Sequence, residues 1–145
     1  MPAIRVVNAY QVPCAMVQLV ARYPALDDRR EASVFLWYLA DAPAKALEPL
    51  LPVSLMPKML GTVALDIAVT HSFNENLAGR TGLHAAPEGG DTLTEWYSSR
   101  GMANLPKSAN RPSMFRANDG RYFYYTPSAA TAASQVLDNF RQPGA

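Results

Sequence analysis

The sequence predicts a mixed α/β fold, with helices packed on a mostly antiparallel sheet that contains one parallel strand pair. Three strand-like segments precede the first long helix, and strand, helix and strand then alternate in the middle of the chain. The central helix, 57–76, lies between the apolar run Val34–Ala40 and the segment Arg80–Ala86. Strands joined through a helix run parallel with a right-handed connection, so we expect 34–40 and 80–86 to be neighbours.

Length and composition alone exclude several classes of protein. The chain has 145 residues, of which 49% are hydrophobic, and a formal net charge of +1. This length predicts one domain, residues 1–145, with a real core, and the apolar content excludes an intrinsically disordered chain. Without a basic excess we expect no nucleic-acid partner. Cys14 is the single cysteine, which excludes an intramolecular disulfide and a cysteine-based zinc site.

Location is predicted from what the chain lacks. Its longest purely apolar run, Val34–Ala40, is far shorter than the roughly 20 residues that span a bilayer. The segment Met1–Arg5 does not have the pattern of a signal peptide. We therefore expect a cytoplasmic protein without a membrane partner.

The first half of the chain predicts a hairpin, a buried strand and a long connection. Ile4–Val12 and Ala15–Tyr23 are rich in β-branched and aromatic residues, and each is followed by a proline. The apolar run 34–40 is typical of a strand that is buried on both faces, with Trp37 and Tyr38 packed inside. Residues 41–56 contain three prolines and predict an irregular connection, with a helical turn around 44–50.

The pattern from Pro57 to Asn76 predicts the longest helix, because proline is tolerated in a first turn and the apolar residues recur at helical spacing. We interpret His71 as a half-buried, hydrogen-bonded residue rather than a catalytic base. The predicted buried stripe consists of Leu60, Val63, Ala64, Ile67, Ala68 and His71.

The C-terminal half predicts a helix, a hairpin and a last helix. Thr92 and Glu95 fit a capping box for a short helix that stops at Gly101. The turn sequence 118–120 predicts that 114–117 and 121–125 pair as a hairpin. The last helix is expected from Pro127 to about 141.

The start of the central helix is a candidate anion site. A helix N-terminus presents unpaired N–H groups and a positive dipole end, which suit a phosphate. Lys58 adds positive charge, and Gly61 permits close approach of a ligand. The alternative is that Gly61 allows close packing of the helix and that Lys58 is solvated.

Two stretches together resemble the GCN5-related N-acetyltransferase (GNAT) superfamily. The family has Arg/Gln-x-x-Gly-x-Gly/Ala at the start of its third helix, where this chain has Lys58-Met59-Leu60-Gly61-Thr62-Val63. The segment 79–85, followed by Trp96-Tyr97-x-x-x-Gly101-Met102, is similar to the family's fifth strand and fourth helix. The resemblance covers roughly residues 3–125, and it implies a GNAT-like domain without the usual first strand and first two helices.

The resemblance implies acetyl-CoA as co-substrate and an amine, on a small molecule or a protein, as acceptor. The strand ending at Ala40 would bind the pantetheine arm through its backbone, and Tyr97 would protonate the departing thiolate. His84 and Asp41 complete the candidate catalytic set, and two histidines without clustered carboxylates predict no metal site. The candidate cofactor-binding residues are Leu39, Ala40, Lys58, Met59, Leu60, Gly61 and Thr62.

Two alternatives remain open. A domain without its first elements could expose apolar sheet and act as a catalytically degenerate binding or homodimerisation module. An acetyltransferase acting on aminoacyl-tRNA is disfavoured by the near-neutral charge. A wedge between the two parallel strands, leading to the start of the central helix, is what the acetyltransferase hypothesis predicts.

Overall fold

The fold is built on one six-stranded sheet. The computed structural model describes residues 3–7, 11–51, 60–109, 112 and 116–138. The strand order is β1-β2-β3-β4-β6-β5, and β3 and β4 form the one parallel pair among the described strands. This confirms the predicted fold class. The strands are β1 (Ala3–Val7), β2 (Pro13–Pro24), β3 (Ala32–Asp41), β4 (Thr81–His84), β5 (Ala103–Asn104) and β6 (Tyr122–Tyr125). The helices are α1 (Ala44–Leu47), α2 (Leu60–Asn74), α3 (Gly90–Ser99) and α4 (Pro127–Val136).

The first three strands form an antiparallel meander. Val17 of β2 lies opposite Ile4 of β1 and opposite Leu39 of β3. Because side chains alternate along a strand, these three residues share one face of the sheet and point into the main core. The short helix α1 forms inside the stretch predicted as an irregular connection, at the predicted helical turn.

The predicted crossover is confirmed. The pairing of β3 with β4 begins where the Val34 N–H donates to the Arg80 carbonyl at 3.0 Å, and it ends at Leu36 opposite Leu83. The helix α2 joins the two strands and packs on the sheet. A 3₁₀ turn, Pro87–Gly89, then leads from β4 into α3.

The buried side of α2 differs from the predicted stripe. Ala64 and Ala68 are buried and His71 is half-buried, as predicted, whereas Val63 and Ile67 are only half-buried. The reason is that α2 meets the sheet on one side and α3 and α4 on another, so a second row of residues is covered. The buried residues are Thr62, Ala64, Leu65, Ala68, Val69 and Ser72.

Two predictions about the C-terminal half are wrong. β6 pairs with β4 on one side and with β5 on the other, so 121–125 does not form a hairpin with 114–117. Of that segment, residues 114 and 115 lie outside the described residues. Thr92 does not cap α3, because the helix already begins at Gly90 after the 3₁₀ turn. The start of α4 agrees with the prediction, and the Thr126 side chain accepts from the Ala129 N–H.

The sheet separates two hydrophobic clusters. The larger cluster lies on the helix side and contains buried residues of β2, β3, β4, β6 and all three long helices. The smaller cluster lies on the other side, around Phe35, Leu105 and Tyr122. Among the residues described, no helix is both long and apolar enough to cross a bilayer.

Candidate functional site

A β-bulge divides β3 at the point where β4 separates from it. Gln18 lies opposite Tyr38, but the next residue of β2, Leu19, lies opposite Leu36, so Trp37 is an extra residue. The pairing of β3 with β4 also ends at Leu36. Beyond that point β3 runs on to Asp41 with β2 as its one neighbour among the described strands. Bulges bend strands and are common beside active sites.

The direction of the backbone beyond the bulge follows from one hydrogen bond. The Ala42 N–H donates to the Cys14 carbonyl of β2 at 2.7 Å. Peptide groups point alternately to the two sides of a strand, so the Ala40 peptide faces β2 as well. The peptide groups of Leu39 and Asp41 therefore face the opposite side, on which β4 pairs with β3 only as far as Leu36. Of the two residues predicted to bind pantetheine, Leu39 therefore has its backbone N–H and C=O on the side away from β2, whereas those of Ala40 face β2.

Tyr97 lies in the main core beside the end of β4. The side chain is 6% exposed, and its ring lies 5.6 Å from that of Phe123. Phe123 is the cross-strand partner of Leu83, the last residue of β4 that pairs with β3. Burial raises the pKa of Tyr97, because the low-dielectric surroundings disfavour the phenolate. The phenol is therefore fully protonated at neutral pH, as a proton donor must be.

His84 is held by a carboxylate that the sequence had suggested only as part of a turn. Its Nε2 lies 2.8 Å from Oδ2 of Asp119, and its ring lies 4.6 Å from that of Tyr122. Burial alone would raise the pKa of Asp119, but hydrogen bonds from His84 and from the Arg121 N–H outweigh it and lower the pKa. An ionised carboxylate only accepts, so Nε2 carries the proton and neutral His84 has its lone pair on Nδ1.

Arg121 ties this pair to the helix that carries Tyr97. Its N–H donates to Oδ1 of Asp119 at 3.0 Å. Its guanidinium donates to the carbonyls of Ala85 at 2.9 Å, Ala86 at 2.8 Å and Gly90 at 3.2 Å. These carbonyls span the connection from β4 to α3. Arg121 therefore fixes the start of α3 relative to His84.

The candidate catalytic residues do not form one cluster. His84 is the cross-strand partner of Tyr122 and shares its face, whereas Tyr97 packs with Leu83 on the opposite, helix-covered face. Both lie beside the place where β3 and β4 separate, one on each face of the sheet. Asp41 lies five residues beyond Leu36 along β3, about 16 Å in an extended strand. The structure therefore places Tyr97 and His84 on opposite faces of the sheet, near the last paired residues of β3 and β4, and it places Asp41 at the far end of β3.

The predicted phosphate segment is only partly described. Lys58 and Met59 lie outside the described residues, and Leu60 is half-buried at the first described position of α2. A Cβ added to Gly61 would lie 3.0 Å from Cη2 of Trp96. This glycine therefore permits close packing of α2 on α3, the alternative that the sequence left open. Thr62 is buried, and its Oγ1 has no hydrogen-bond partner among the described residues.

Two aromatic residues of β3 are exposed, contrary to the prediction that they pack inside. Trp37 is 43% exposed and Tyr38 is 51% exposed, because the bulge turns both side chains to the face that no long helix covers. Arg116 partly covers this surface, with its guanidinium 4.2 Å from the centre of the Trp37 ring. Met16 of β2 is 49% exposed on the same face of the sheet. We call Met16, Trp37 and Tyr38 the open patch.

Comparison with known proteins identifies no relative of this chain. No protein family, no curated protein and no solved structure matches it. In the part of the chain that is described, no three histidine, cysteine, aspartate or glutamate side chains are grouped as a metal site would need.

Proposed function

We propose that this chain is an acyl-CoA-dependent N-acetyltransferase, which moves the acetyl group of acetyl-CoA to an amine. The observation that carries the proposal is the separation of β3 from β4 at Leu36 and Leu83, next to the bulge at Trp37. It leaves backbone N–H and C=O groups of β3 without a neighbour on that side among the described strands, near a buried tyrosine and a carboxylate-bound histidine. The GNAT-like sequence pattern implies that pantetheine binds along this strand.

The arrangement offers one proton acceptor and one proton donor for the reaction. The amine nitrogen attacks the thioester carbonyl carbon, and the C–S bond then breaks. Nδ1 of His84 accepts the proton that the amine loses, and Asp119 holds the ring in the required tautomer. Tyr97 donates its proton to the departing thiolate from the opposite face. The proposal requires the thioester to lie where β3 and β4 separate, because His84 and Tyr97 flank that place from opposite faces of the sheet.

The proposal is tested first by binding. We expect acetyl-CoA at one hundred times its Kd to stabilise the fold by about 2.7 kcal/mol, which raises Tm by about 5–11 °C in a chain of this size. Calorimetry should give the same affinity. If millimolar acetyl-CoA changes neither Tm nor the heat of mixing, the proposal is wrong.

A matched pair of variants at Asp41 tests the backbone contact. Asp41→Pro removes one N–H on the open side of β3, whereas Asp41→Ala removes only the carboxylate. We expect Asp41→Pro to weaken acetyl-CoA binding about three- to tenfold, the worth of one hydrogen bond, and Asp41→Ala to bind like the wild type. Urea unfolding checks that both variants fold. Equal affinity of both variants would exclude a backbone contact at this position.

A second candidate function is homodimerisation, and the open patch favours it. Its three large apolar side chains lie on adjacent strands, and each is exposed by more than two-fifths. A formal net charge of +1 gives little repulsion between two copies. The occupant that this argument supports is a second copy of the chain.

Light scattering coupled to size-exclusion chromatography tests this second candidate. We expect the mass of a dimer for the wild type and the mass of a monomer for Met16→Glu/Tyr38→Glu. A monomeric wild type at high micromolar concentration would rule out self-association through the open patch.

A further inference from the structure

An arginine lies on the same face of the sheet as His84. The guanidinium of Arg116 lies 4.2 Å from the centre of the Trp37 ring and 5.7 Å from that of the Phe35 ring. Arg116 is half-buried, and it takes part in none of the ion pairs among the described residues. A guanidinium over aromatic rings loses part of its water but keeps its N–H donors. Arg116 is therefore a cation that can bind an anion.

Two observations place Arg116 close to His84. Asp119, which bonds Nε2 of His84 at 2.8 Å, is three residues further along the chain than Arg116, and three residues span at most about 11 Å. Phe35, which Arg116 contacts, belongs to one hydrophobic cluster with Tyr122, and the Tyr122 ring lies 4.6 Å from the His84 ring. Arg116 and His84 therefore flank the same small cluster, on the face that no long helix covers.

Trp37 is the third group at this place. The last pair of β3 and β4 joins Leu36 to Leu83, so one further step along both strands brings Trp37 level with His84. The Trp37 side chain is 43% exposed, which leaves an apolar surface open beside the cation and the base. A molecule that reaches Nδ1 of His84 from this face therefore lies next to both Trp37 and Arg116.

The three groups together define one class of acceptor. Arg116 can bind a carboxylate through two parallel hydrogen bonds, the Trp37 ring can contact an apolar group, and Nδ1 of His84 can accept the proton of an amine. An α-amino acid carries a carboxylate, an amine and a side chain on one carbon. We propose that the acetyl acceptor is a free α-amino acid with an apolar side chain, an inference that rests on the proposed acetyltransferase function. A second copy on the open patch would cover Trp37, so this acceptor and homodimerisation through that patch exclude each other.

The transfer to an amino acid balances without a further reactant. The neutral amine nitrogen attacks the thioester carbon, the C–S bond breaks, and the products are an N-acetyl amino acid and the free thiol of CoA. The amine proton passes to Nδ1 of His84, the thiolate takes its proton from Tyr97, and exchange of one proton through solvent restores both side chains. The carboxylate stays on Arg116, so Arg116 determines the affinity for the acceptor and takes no part in the bond changes.

Three probes that differ by one group test the inference on the whole chain. L-phenylalanine has the carboxylate, the amine and a ring, whereas 2-phenylethylamine lacks the carboxylate and L-alanine lacks the ring. We expect calorimetry to show that phenylalanine binds about tenfold more tightly than either, because the charged hydrogen bonds and the apolar contact each contribute about that factor. Binding is measured without acetyl-CoA, so it does not depend on acetyl transfer. Phenylalanine that binds no more tightly than 2-phenylethylamine overturns the inference, even if acetyl-CoA binds.

Matched variants assign the two contacts, and urea unfolding checks that each variant folds. Arg116→Gln should reduce the preference for phenylalanine over 2-phenylethylamine to about threefold or less, whereas Arg29→Gln, at an exposed position between β2 and β3, should leave it unchanged. Trp37→Ala should reduce the preference for phenylalanine over alanine to a similar extent. An unchanged preference in Arg116→Gln or in Trp37→Ala overturns the inference. If both preferences fall as expected but acetyl-CoA does not bind, the amino acid site stands and the acetyltransferase proposal fails.

Discussion

The two halves of β3 are both mostly apolar, but they lie in different surroundings. From Ala32 to Leu36 most side chains of the strand are buried, and from Val34 to Leu36 it lies between β2 and β4. From Trp37 to Asp41 it has one neighbour among the described strands, and its aromatic residues are exposed. The extra residue at the bulge, Trp37, marks the boundary between the two halves. An apolar run in a sequence therefore predicts a strand, but it does not predict how many partners that strand has.

The largest expected effect is a difference in stability between the halves. Phe35→Ala removes a ring that is 1% exposed and lies 4.5 Å from the Tyr23 ring, so it should lower the free energy of unfolding by about 3–5 kcal/mol. Trp37→Ala removes a half-exposed ring and its contact with Arg116, and it should cost about 1 kcal/mol. Urea unfolding measures both. Equal losses would mean that the halves are equally buried in solution.

A second, smaller effect concerns the bulge itself. Deletion of Trp37 brings Leu36 and Tyr38 together and lets β3 pair with β2 without an extra residue. Under the proposed function this closes the opening beside β4, and we expect acetyl-CoA binding to weaken by at least about tenfold. Trp37→Ala is the control, because it keeps the extra backbone residue and should bind as the wild type does. A deletion variant that folds and retains full affinity would show that the bulge does not form the site.

The smallest effect lies on the β4 side of the opening and depends on pH. Because the folded state lowers the pKa of Asp119, its contribution to stability is fully present above the unfolded pKa of about 3.9. That contribution is lost as the pH falls through the lower, folded pKa. The stability difference between the wild type and Asp119→Asn should therefore shrink as the pH falls below about 4. Urea midpoints measured from pH 5 down to pH 2 test this, and a difference that does not shrink over this range would contradict the assignment.

The outline of the fold could be predicted because local patterns determine it. The hairpin of β1 and β2, the crossover through α2 and the start of α4 at Pro127 each follow from a short stretch of sequence. Strand β5 could not be predicted, because two residues carry no periodic signal and β6 alone makes them a strand. The predicted start of α3, with Thr92 as its cap, also differs from the observed start at Gly90. Thr92 and Glu95 fit a cap, but the 3₁₀ turn before them already begins the helix.

The candidate site was less predictable than the fold. Tyr97 and His84 could be selected from residue type and position, but their placement on opposite faces of the sheet could not. Asp119 was hidden in a turn sequence, and its contact with His84 joins positions 35 residues apart.

By itself the sequence determined the class of fold and the parallel pair, and it predicted candidate residues for proton transfer. Periodicity, prolines and residue type are local properties, and these features depend on them. Only the tertiary structure decided where β3 and β4 separate, which face each candidate residue occupies and where polar atoms stay unpaired. Those features depend on register and on packing between distant segments, and a single apolar strand such as 34–40 is compatible with either arrangement.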